Sequence, residues 1–445
     1  MSVNRREFVA SVAALSSVMI VPRHVLGGRG YVAPSDRLNV AGVGVGGKGF
    51  GDLKSVAEEN IVALCDVDRT YAARAFQKFP DARPYSDYRQ MLDEQKDIDA
   101  VMIATPDHTH AVIAMAAIKA GKHVFCQKPL THDLNEIPAL TEAARAAGVV
   151  TQMGIQGHCM EGSFLLSEWI ADGAIGEVHK VEIWCSITHD PPGHAYYSTP
   201  CDHRPHVTPP PPHDLDWDLW LGPAKYRPYS PCYHPIVWRN WWDFGSSMMA
   251  DRGCHTFDPV VTALKLEAPK SVEAICTDYN EETYPVAAIV NYRFDKRPGF
   301  PDLELTWYEG LRPPRPRELE DTRILGESEG GALFIGSKGK LMCGIYGESP
   351  RLLPESRMAS YKQPPKRLPR SPGIYKEFIA ACKKGAATTA GFDYSGMLTK
   401  ICFLGNVAKR FSGTVMHWDD ASYRFTTPVE ANSYLQAPYR QGWSL

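Results

Sequence analysis

The feature that most constrains the fold is a glycine-rich turn directly after a short apolar run. Residues 37–43 predict a buried strand that leads into Gly44-Val45-Gly46-Gly47-Lys48-Gly49, which has the pattern G-x-G-x-x-G. These glycines permit a tight turn and let backbone N–H groups approach a pyrophosphate at the N-terminus of the next helix, predicted over residues 50–59. A second register places the glycines at positions 42, 44 and 47, but the first is preferred because it leaves a full strand before the turn.

A carboxylate stands where the adenosine ribose of a dinucleotide would lie. The predicted strand 61–65 ends at Asp66, seventeen residues after Gly49, and an acidic residue at this place hydrogen-bonds the ribose hydroxyls of NAD. Two alternatives stay open: Asp66 caps the next turn, or the nearby Arg69 holds the 2′-phosphate of NADP. We favour NAD because the carboxylate would repel that phosphate.

Strands and helices alternate through the first third of the chain. Residues 99–104, 123–126 and 149–151 predict strands, and residues 111–120 and 134–147 predict helices. This alternation predicts a parallel, doubly wound sheet over residues 37–151, and ligands of such sheets bind at the carboxyl ends of the strands. The polar residues at those ends are Asp66, Thr105, His110 and Lys128.

The second half predicts a different domain, over residues 152–370. A helix is expected at 163–172, and the strand-like runs are 178–184, 271–277, 287–294, 303–309, 331–336 and 339–343. Because few helices separate these runs, we expect an α/β domain with a large, open, mainly antiparallel sheet. Residues 371–445 contain two further predicted helices, 374–384 and 396–410, and a tail.

A long irregular stretch, residues 189–245, interrupts the sheet domain. Loops of this length are usually functional, although this one could instead pack on the domain or on a neighbouring subunit. Its histidines and cysteines match no standard zinc spacing, so we predict no metal site. These residues are His189, His194, Cys201, His203, His206, His213, Cys232 and His234.

The strongest constellation is the segment 250–258, which contains Asp251 and His255. Residues four apart share one face of a helix, so this spacing predicts an imidazole with a carboxylate beside it. The carboxylate would orient the ring and stabilise its charged form. The alternative is an ordinary N-cap aspartate followed by a hydrogen-bonded histidine.

Taken together, these segments resemble the Gfo/Idh/MocA family of NAD(P)-dependent oxidoreductases, which act mostly on sugars and polyols. The resemblance rests on Thr105-Pro106 followed by His110, on Gly121-Lys122-His123-Val124, on Lys128-Pro129, and on a D-x-G-x-H segment at residues 251–255. The family's usual Glu-Lys-Pro is Gln127-Lys128-Pro129 here, so the charge at position 127 is lost. Its glycine-rich run before the aspartate is residues 246–249 here, Ser-Ser-Met-Met, which is expected to alter the size of the pocket.

The resemblance implies roles for individual residues. Lys128 would reach the substrate hydroxyl and the nicotinamide ribose, His255 would be the general base, and Asp251 would orient it. The residues expected to contact the cofactor are Gly44, Gly46, Gly47, Lys48, Gly49, Asp66, Thr105, Pro106, His110, Gln127, Lys128 and Gln156. Those expected to contact the substrate are His158, Trp238, Arg239, Asp251 and His255, with aromatic rings of the long loop stacking on sugar C–H faces. The C-terminal helices would pack back against the nucleotide domain.

The N-terminus predicts export. Arg5 and Arg6 precede Phe8 and an apolar stretch over residues 9–21, the pattern of a twin-arginine signal. Thirteen residues rise only about 20 Å as a helix, too little to span a bilayer of about 30 Å. We therefore expect residues 1–36 to be a signal and linker, and the protein to be periplasmic or otherwise exported.

Composition excludes other classes of protein. The chain has 48 Lys and Arg against 51 Asp and Glu among 445 residues, so no basic excess favours binding of nucleic acid. The eleven scattered cysteines, with no C-x-x-C pair, predict thiols in the core rather than a disulfide framework.

The sequence therefore predicts hydride transfer between a nicotinamide and a carbinol carbon of a sugar, glycoside or polyol. One alternative is a glycosidase that uses tightly held NAD for transient oxidation followed by elimination. Another is a nucleotide-bound binding protein without turnover. We expect a homo-oligomer formed through the open face of the sheet.

Overall fold

The structure is a computed structural model, and it describes residues 36–187, 203–278 and 280–445. The predicted export signal lies outside these residues, as do three of the candidate metal ligands, His189, His194 and Cys201. The described chain forms two sheets, one of six strands and one of nine.

The first sheet is entirely parallel, with the strand order β3-β2-β1-β4-β5-β6. Its strands are β1 Asn39–Val43, β2 Asn60–Cys65, β3 Arg83–Tyr85, β4 Ala100–Ile103, β5 His123–Cys126 and β6 Thr151–Met153. Its helices are α1 Gly47–Ser55, α2 Ala73–Lys78, α3 Tyr88–Glu94, α4 His110–Lys119 and α5 Glu136–Ala147. Every residue of β4 is buried, because helices cover both faces of a parallel sheet. The predicted doubly wound fold is confirmed.

Several boundaries differ from the sequence prediction, and two of them lie at the edges of the nucleotide site or of the first sheet. The helix expected over residues 50–59 begins at Gly47, because Gly46 serves as its N-cap, and it ends at Ser55. The strand expected over residues 149–151 is β6, Thr151–Met153. The residues before it still belong to the turn that follows the left-handed C-cap Gly148.

The second sheet is mainly antiparallel, with the order β13-β12-β11-β7-β10-β9-β8-β14-β15. Its strands are β7 Val178–Cys185, β8 Ser271–Cys276, β9 Ala288–Phe294, β10 Leu303–Glu309, β11 Gly330–Gly336, β12 Gly339–Cys343, β13 Arg351–Leu353, β14 Met416–Asp419 and β15 Arg424–Thr427. Only the β7–β10 pair is parallel among the pairs described. The remaining helices are α6 Glu161–Ala171, α7 Trp217–Leu221, α8 Ser247–Asp251, α9 Gly253–Leu264, α10 Glu355–Ser360, α11 Ile374–Lys384 and α12 Phe392–Lys409.

The C-terminal helices join the two halves. Tyr375 and Phe378 of α11 pack on Phe125 of β5, at ring-centroid distances of 5.3 and 5.6 Å. Helix α12 is buried along most of its length and lies against β8 and β9. Strands β14 and β15, which the sequence pattern does not indicate, extend the second sheet beside β8.

The outer face of the second sheet is open only in part. Over β7, β11 and β12 the chain's own segment 311–329 forms a small core with Trp184, Leu333 and Met342 through Leu319 and Leu325. Over β8 to β10 the face stays open, and its side chains include polar pairs such as Thr306 with Asn291.

Two further observations concern the described residues. Within them, none of the helices combines the length and apolar content needed to cross a bilayer. The ten cysteines among them are all free thiols, and six of these are buried.

Candidate active site

One large cavity, of about 600 Å³, lies at the carboxyl edge of the parallel sheet and extends to the second domain. Its volume is within the range of small-molecule and cofactor sites. Most of the predicted site residues line it: Gly44, Gly46, Gly47, Lys48, Asp66, Thr105, Pro106, His110, Gln127, Lys128, Gln156, Trp238, Arg239, Asp251 and His255. Gly49 lies beneath the turn, and His158 does not reach the cavity.

The glycine turn fits the first of the two registers. Gly44 has a φ of +75°, and a Cβ there would lie 2.7 Å from the backbone nitrogen of Thr105. A Cβ on Gly49 would lie 1.9 Å from the carbonyl oxygen of Gly44, so only glycine lets α1 pack this closely on the turn. Gly46 and Gly47 face the cavity at the N-terminus of α1, where a helix favours bound phosphate.

Asp66 is buried at the end of β2, with 8% of its surface exposed. Its carboxylate accepts hydrogen bonds from the backbone N–H groups of Gly46 and Asp68, each at 3.0 Å. Burial raises the pKa of Asp66 to about 6, although these two hydrogen bonds lower it. Arg69 does not line the cavity; its guanidinium donates to Ser86 at 3.3 Å.

A buried carboxylate that the sequence reading missed lies beside Gln127. Asp52 is 1% exposed, and it accepts hydrogen bonds from Gln127 Nε2 at 2.8 Å and from Tyr375 Oη at 2.6 Å. It also pairs with Lys48, one helical turn earlier on α1. That spacing of four residues is the signal that could have identified Asp52. The network ties α1, α11 and the loop that carries Lys128 together.

His110 holds two loops of the cavity edge. Its Nδ1 lies 2.7 Å from the carbonyl oxygen of Pro129, and its Nε2 lies 2.9 Å from that of Thr105. The histidine thus joins the loop after β4 to the loop after β5, which carries Lys128. This position fits a residue that shapes the cofactor cleft.

Lys128 and Asp251 form an ion pair at the domain junction. The Nζ of Lys128 donates to Oδ1 of Asp251, and Arg239 Nε lies 3.5 Å from the same oxygen. The side chains of Lys128 and Asp251 are only 15% and 5% exposed. A buried carboxylate therefore holds the lysine ammonium at the cavity wall.

His255 is positioned differently from the prediction. Asp251 ends α8 and His255 lies in α9, which begins after Arg252, so the two residues do not share one continuous helix. Among the described residues, the buried Nδ1 of His255 has no hydrogen-bond partner, and the orienting role expected for Asp251 stays a prediction. The ring instead packs on Tyr346, at 4.7 Å between centroids.

The charge state of His255 follows from its surroundings. Burial, reinforced by the nearby Lys128 ammonium, lowers the pKa of His255 well below the ordinary value, and Asp251 opposes this only in part. The imidazole is therefore neutral near pH 7 and able to accept a proton. Tyr346, in the turn after β12, also lines the cavity, and no sequence motif marks it.

His158 lies outside the cavity lining and has structural partners, and the substrate contact expected for it stays a prediction. Its Nδ1 lies 2.7 Å from Oδ1 of Asp258, and its ring packs on Tyr394 at 4.7 Å. Tyr394 donates to the same oxygen of Asp258 at 2.6 Å. The three side chains close a cluster behind α9 and outside the cavity lining.

Most aromatic rings of the described part of the long loop pack on one another. Their shared core contains Leu215, Trp217, Trp220, Leu221, Tyr229, Tyr233, Trp238, Trp241 and Phe244. Of the tryptophans in this core, Trp220 and Trp238 also line the cavity. Among residues 203–278 and the other described segments, no group of three or more metal-ligating side chains occurs.

Comparisons with known proteins identify both halves of the chain. Residues 37–155 match the GFO_IDH_MocA family model, described as an oxidoreductase family with an NAD-binding Rossmann fold. Residues 196–297 match the GFO_IDH_MocA_C2 model, described as the C-terminal alpha/beta domain of an oxidoreductase family.

The curated relatives match over part of their length. A levoglucosan dehydrogenase of Pseudarthrobacter phenanthrenivorans is 35% identical over 115 residues, 26% of this chain and 29% of the relative. A myo-inositol 2-dehydrogenase of Thermotoga maritima is 28% identical over 157 residues, 35% of this chain and 47% of the relative. The chain thus spans less than half the length of these relatives.

Solved structures share the fold over most of the chain. The WlbA dehydrogenase of Bordetella pertussis, in complex with NADH and UDP-GlcNAcA, has a TM-score of 0.60 at 17% identity, covering 86% of this chain and 99% of that one. A levoglucosan dehydrogenase in complex with NADH and levoglucosan has a TM-score of 0.56 at 19% identity, covering 84% and 98%.

Proposed function

We propose that this chain, which contains both domains of the Gfo/Idh/MocA oxidoreductase family, is an NAD-dependent oxidoreductase acting on a carbinol carbon of a sugar, glycoside or polyol. One observation carries the proposal. A single cavity joins the glycine turn and Asp66 to the cluster of Lys128, Asp251 and His255. NAD bound there would supply the hydride acceptor. The chain then has to hold the substrate hydroxyl and remove its proton.

His255 is the residue suited to take the proton. It is neutral at neutral pH, because burial and the charge of Lys128 lower its pKa. Since Nδ1 is enclosed without a partner, Nε2 is the ring nitrogen that can serve the cavity. A general base in this position contributes about 10²- to 10⁴-fold to turnover.

Lys128 is suited to hold the hydroxyl oxygen. Its ammonium is fixed by Asp251 and stabilises the negative charge that develops on that oxygen as the proton leaves. Asp251 acts through the lysine, which makes it a positioning residue. Arg239, close to the same carboxylate, is suited to a second substrate oxygen.

The preference for NAD over NADP rests on the side chains at the end of β2. Asp66 lines the cavity there together with Asp68, so a 2′-phosphate would meet two acidic residues. Arg69, the cation that could have neutralised it, does not itself line the cavity and donates to Ser86, which does. We expect the dissociation constant for NADP to exceed that for NAD.

The experiment is native mass spectrometry for co-purified nucleotide, followed by NADH formation with a substrate panel. Levoglucosan and myo-inositol begin the panel because two relatives are named for them. Lys128→Met should lower kcat/KM at least about 100-fold. Lys122→Met is the matched control, because the Lys122 ammonium bonds only the carbonyl oxygen of Lys96, away from the cavity. Absence of any bound nicotinamide nucleotide, or an unchanged Lys128→Met variant, would reject the proposal.

Two further parts of the proposal concern location and assembly. Arg5 and Arg6, placed before Phe8, support export by the twin-arginine route, and fractionation of cells that express an Arg5→Lys/Arg6→Lys variant tests it. The part of the outer sheet face that stays open over β8 to β10 supports a homo-oligomer. Light scattering of the purified protein measures its mass.

A further inference from the structure

One end of the cavity is built for a flat, apolar group. Ser86 and Tyr88, which follow β3, line the cavity beside Asp66 at the end of β2. In the strand order, β2 and β3 lie on the far side of β1 from β5, which precedes Lys128. If the proposed function holds, the adenosine half of the dinucleotide occupies this end, because Asp66 faces the ribose there.

A segment of the second domain closes over this end. Residues 214–223 are held to the loop after β2 by main-chain hydrogen bonds. The N–H of Arg69 donates to Asp214 at 3.1 Å, and the N–H of Asp216 donates to Val67 at 2.9 Å. Leu219, in the middle of the segment, lines the cavity.

The C-terminal tail completes the closure. The N–H of Arg440 donates to the carbonyl oxygen of Pro223 at 2.9 Å, which fixes the tail on segment 214–223. The ring of Trp443 lines the cavity and lies 6.4 Å from the ring of Tyr88. The guanidinium of Arg89 also lies against this ring, 4.6 Å from the Trp443 centroid.

We propose that residues 214–223 and 440–443, here named the cleft cover, form an adenine subsite with Tyr88 and retain the dinucleotide between turnovers. Trp443 and Leu219 supply the apolar walls that a purine base needs, and aromatic rings stabilise bases by stacking. A dinucleotide beneath the cover would leave more slowly while the main-chain bonds that hold the cover stay formed. Release is therefore slow, and Trp443 determines its rate.

The test measures nucleotide release from the full-length protein. Protein loaded with NAD is chased with an excess of isotopically labelled NAD, and the bound fraction is followed by native mass spectrometry. Trp443→Ala should release NAD at least about tenfold faster than the wild type, the size expected for loss of one ring–base contact. Trp443→Phe should restore most of the retention, and Ser444→Ala, an exposed neighbour that lies outside the cleft cover, should not change it.

A second measurement keeps the result independent of turnover. ADP-ribose contains the adenosine half alone, so its affinity should fall by about the same factor in Trp443→Ala as that of NAD. Equal release rates in Trp443→Ala and wild type, or an ADP-ribose affinity unaffected by the substitution, would overturn the adenine subsite. A wild type that binds no NAD at all would instead reject the proposed function.

Discussion

Replacing Asp66 with asparagine should change both the pH dependence of the free energy of unfolding and the affinity for NAD, and the two effects can be measured separately. Asp66 is buried, and burial raises its pKa from the ordinary value of 3.8 to about 6. The folded protein therefore binds this proton more tightly than the unfolded chain. Between about pH 4 and pH 6 the unfolded state alone ionises, so the free energy of unfolding falls as the pH rises through this window.

The size of the effect follows from the displacement of the pKa. About two pKa units correspond to about 3 kcal/mol of stability, present below pH 4 and lost above pH 6. The asparagine side chain of the Asp66→Asn variant does not titrate, but its amide has only one carbonyl oxygen for the two N–H donors of Gly46 and Asp68. The loss of one of these two hydrogen bonds lowers the free energy of unfolding by about 1–3 kcal/mol at every pH.

These two effects oppose each other as the pH rises. Asp66→Asn should be less stable than the wild type at pH 4 by about 1–3 kcal/mol, and as stable or more stable at pH 7. Urea unfolding of the nucleotide-free protein measures the stability at both pH values, with Glu142→Gln at an exposed position on α5 as control. NAD affinity should fall about 10- to 100-fold at pH 7, because a charged acceptor for the ribose is lost.

Two results would refute this reasoning. If the difference in free energy of unfolding between Asp66→Asn and the wild type is the same at pH 4 and pH 7, burial does not disfavour ionisation of Asp66. An unchanged NAD affinity would show that Asp66 does not meet the ribose.

The remaining predictions test other parts of the structure. Gly49→Ala should abolish measurable NAD binding, because its Cβ would overlap the carbonyl oxygen of Gly44. A Cβ on Gly51, in the same helix, would contact no other atom. Gly51→Ala should therefore raise the free energy of unfolding, measured in urea, by about 0.5–1 kcal/mol. Lys409→Met should lower the free energy of unfolding by about 3–5 kcal/mol, because it leaves Glu309 charged in a fully buried pair; a Glu309→Gln/Lys409→Met double variant that recovers no stability would contradict this. At saturating NAD, the acid limb of kcat/KM should lie below pH 6.5, because the pKa of His255 is lowered; a limb at or above that pH would exclude His255 as the base.

Much of the fold could be predicted because many of its buried strands are continuous apolar runs, which a few neighbouring residues are enough to show. The strands His123–Cys126 and Leu303–Glu309 and the helix Ile374–Lys384 have the predicted bounds. Strand β14 shows what local pattern cannot reveal. Its four residues alternate between buried and more exposed positions, and its partner is β8, more than 130 residues earlier in the chain.

The site residues could be predicted where they directly follow a strand of the parallel sheet. Asp66, His110 and Lys128 follow strands, and the topology brings them to one edge of the sheet. Tyr346 comes from a turn where no motif marks it, and Asp52 lies within a helix, where its spacing of four residues from Lys48 is its one signal. His158 also follows a strand, yet it lies outside the cavity lining, where Asp258 offers its ring a buried hydrogen-bond partner.

The tryptophans in the described part of the loop pack on one another for a physical reason. A ring buries more apolar area against other rings than against a polyol. Trp217 and Trp220 accordingly stack on each other, at 4.6 Å between centroids. The loop forms a small core of its own and thereby becomes rigid enough to close over the cofactor end of the cavity.

The proposed retention of the dinucleotide and the proposed export support each other. The twin-arginine route carries folded proteins, so NAD bound beforehand and held beneath Trp443 would accompany the chain to a compartment where free NAD(H) is scarce. A second substrate must then accept the hydride at its carbonyl carbon while His255 returns the proton. One carbinol is oxidised and one carbonyl is reduced, with no net change in the dinucleotide. Without added NAD, purified protein should therefore convert a polyol donor and a carbonyl acceptor in equal amounts, and a donor alone with added NAD should react only at the slow rate of dinucleotide release. Conversion of the donor alone with added NAD at the rate of the coupled reaction would contradict this coupling.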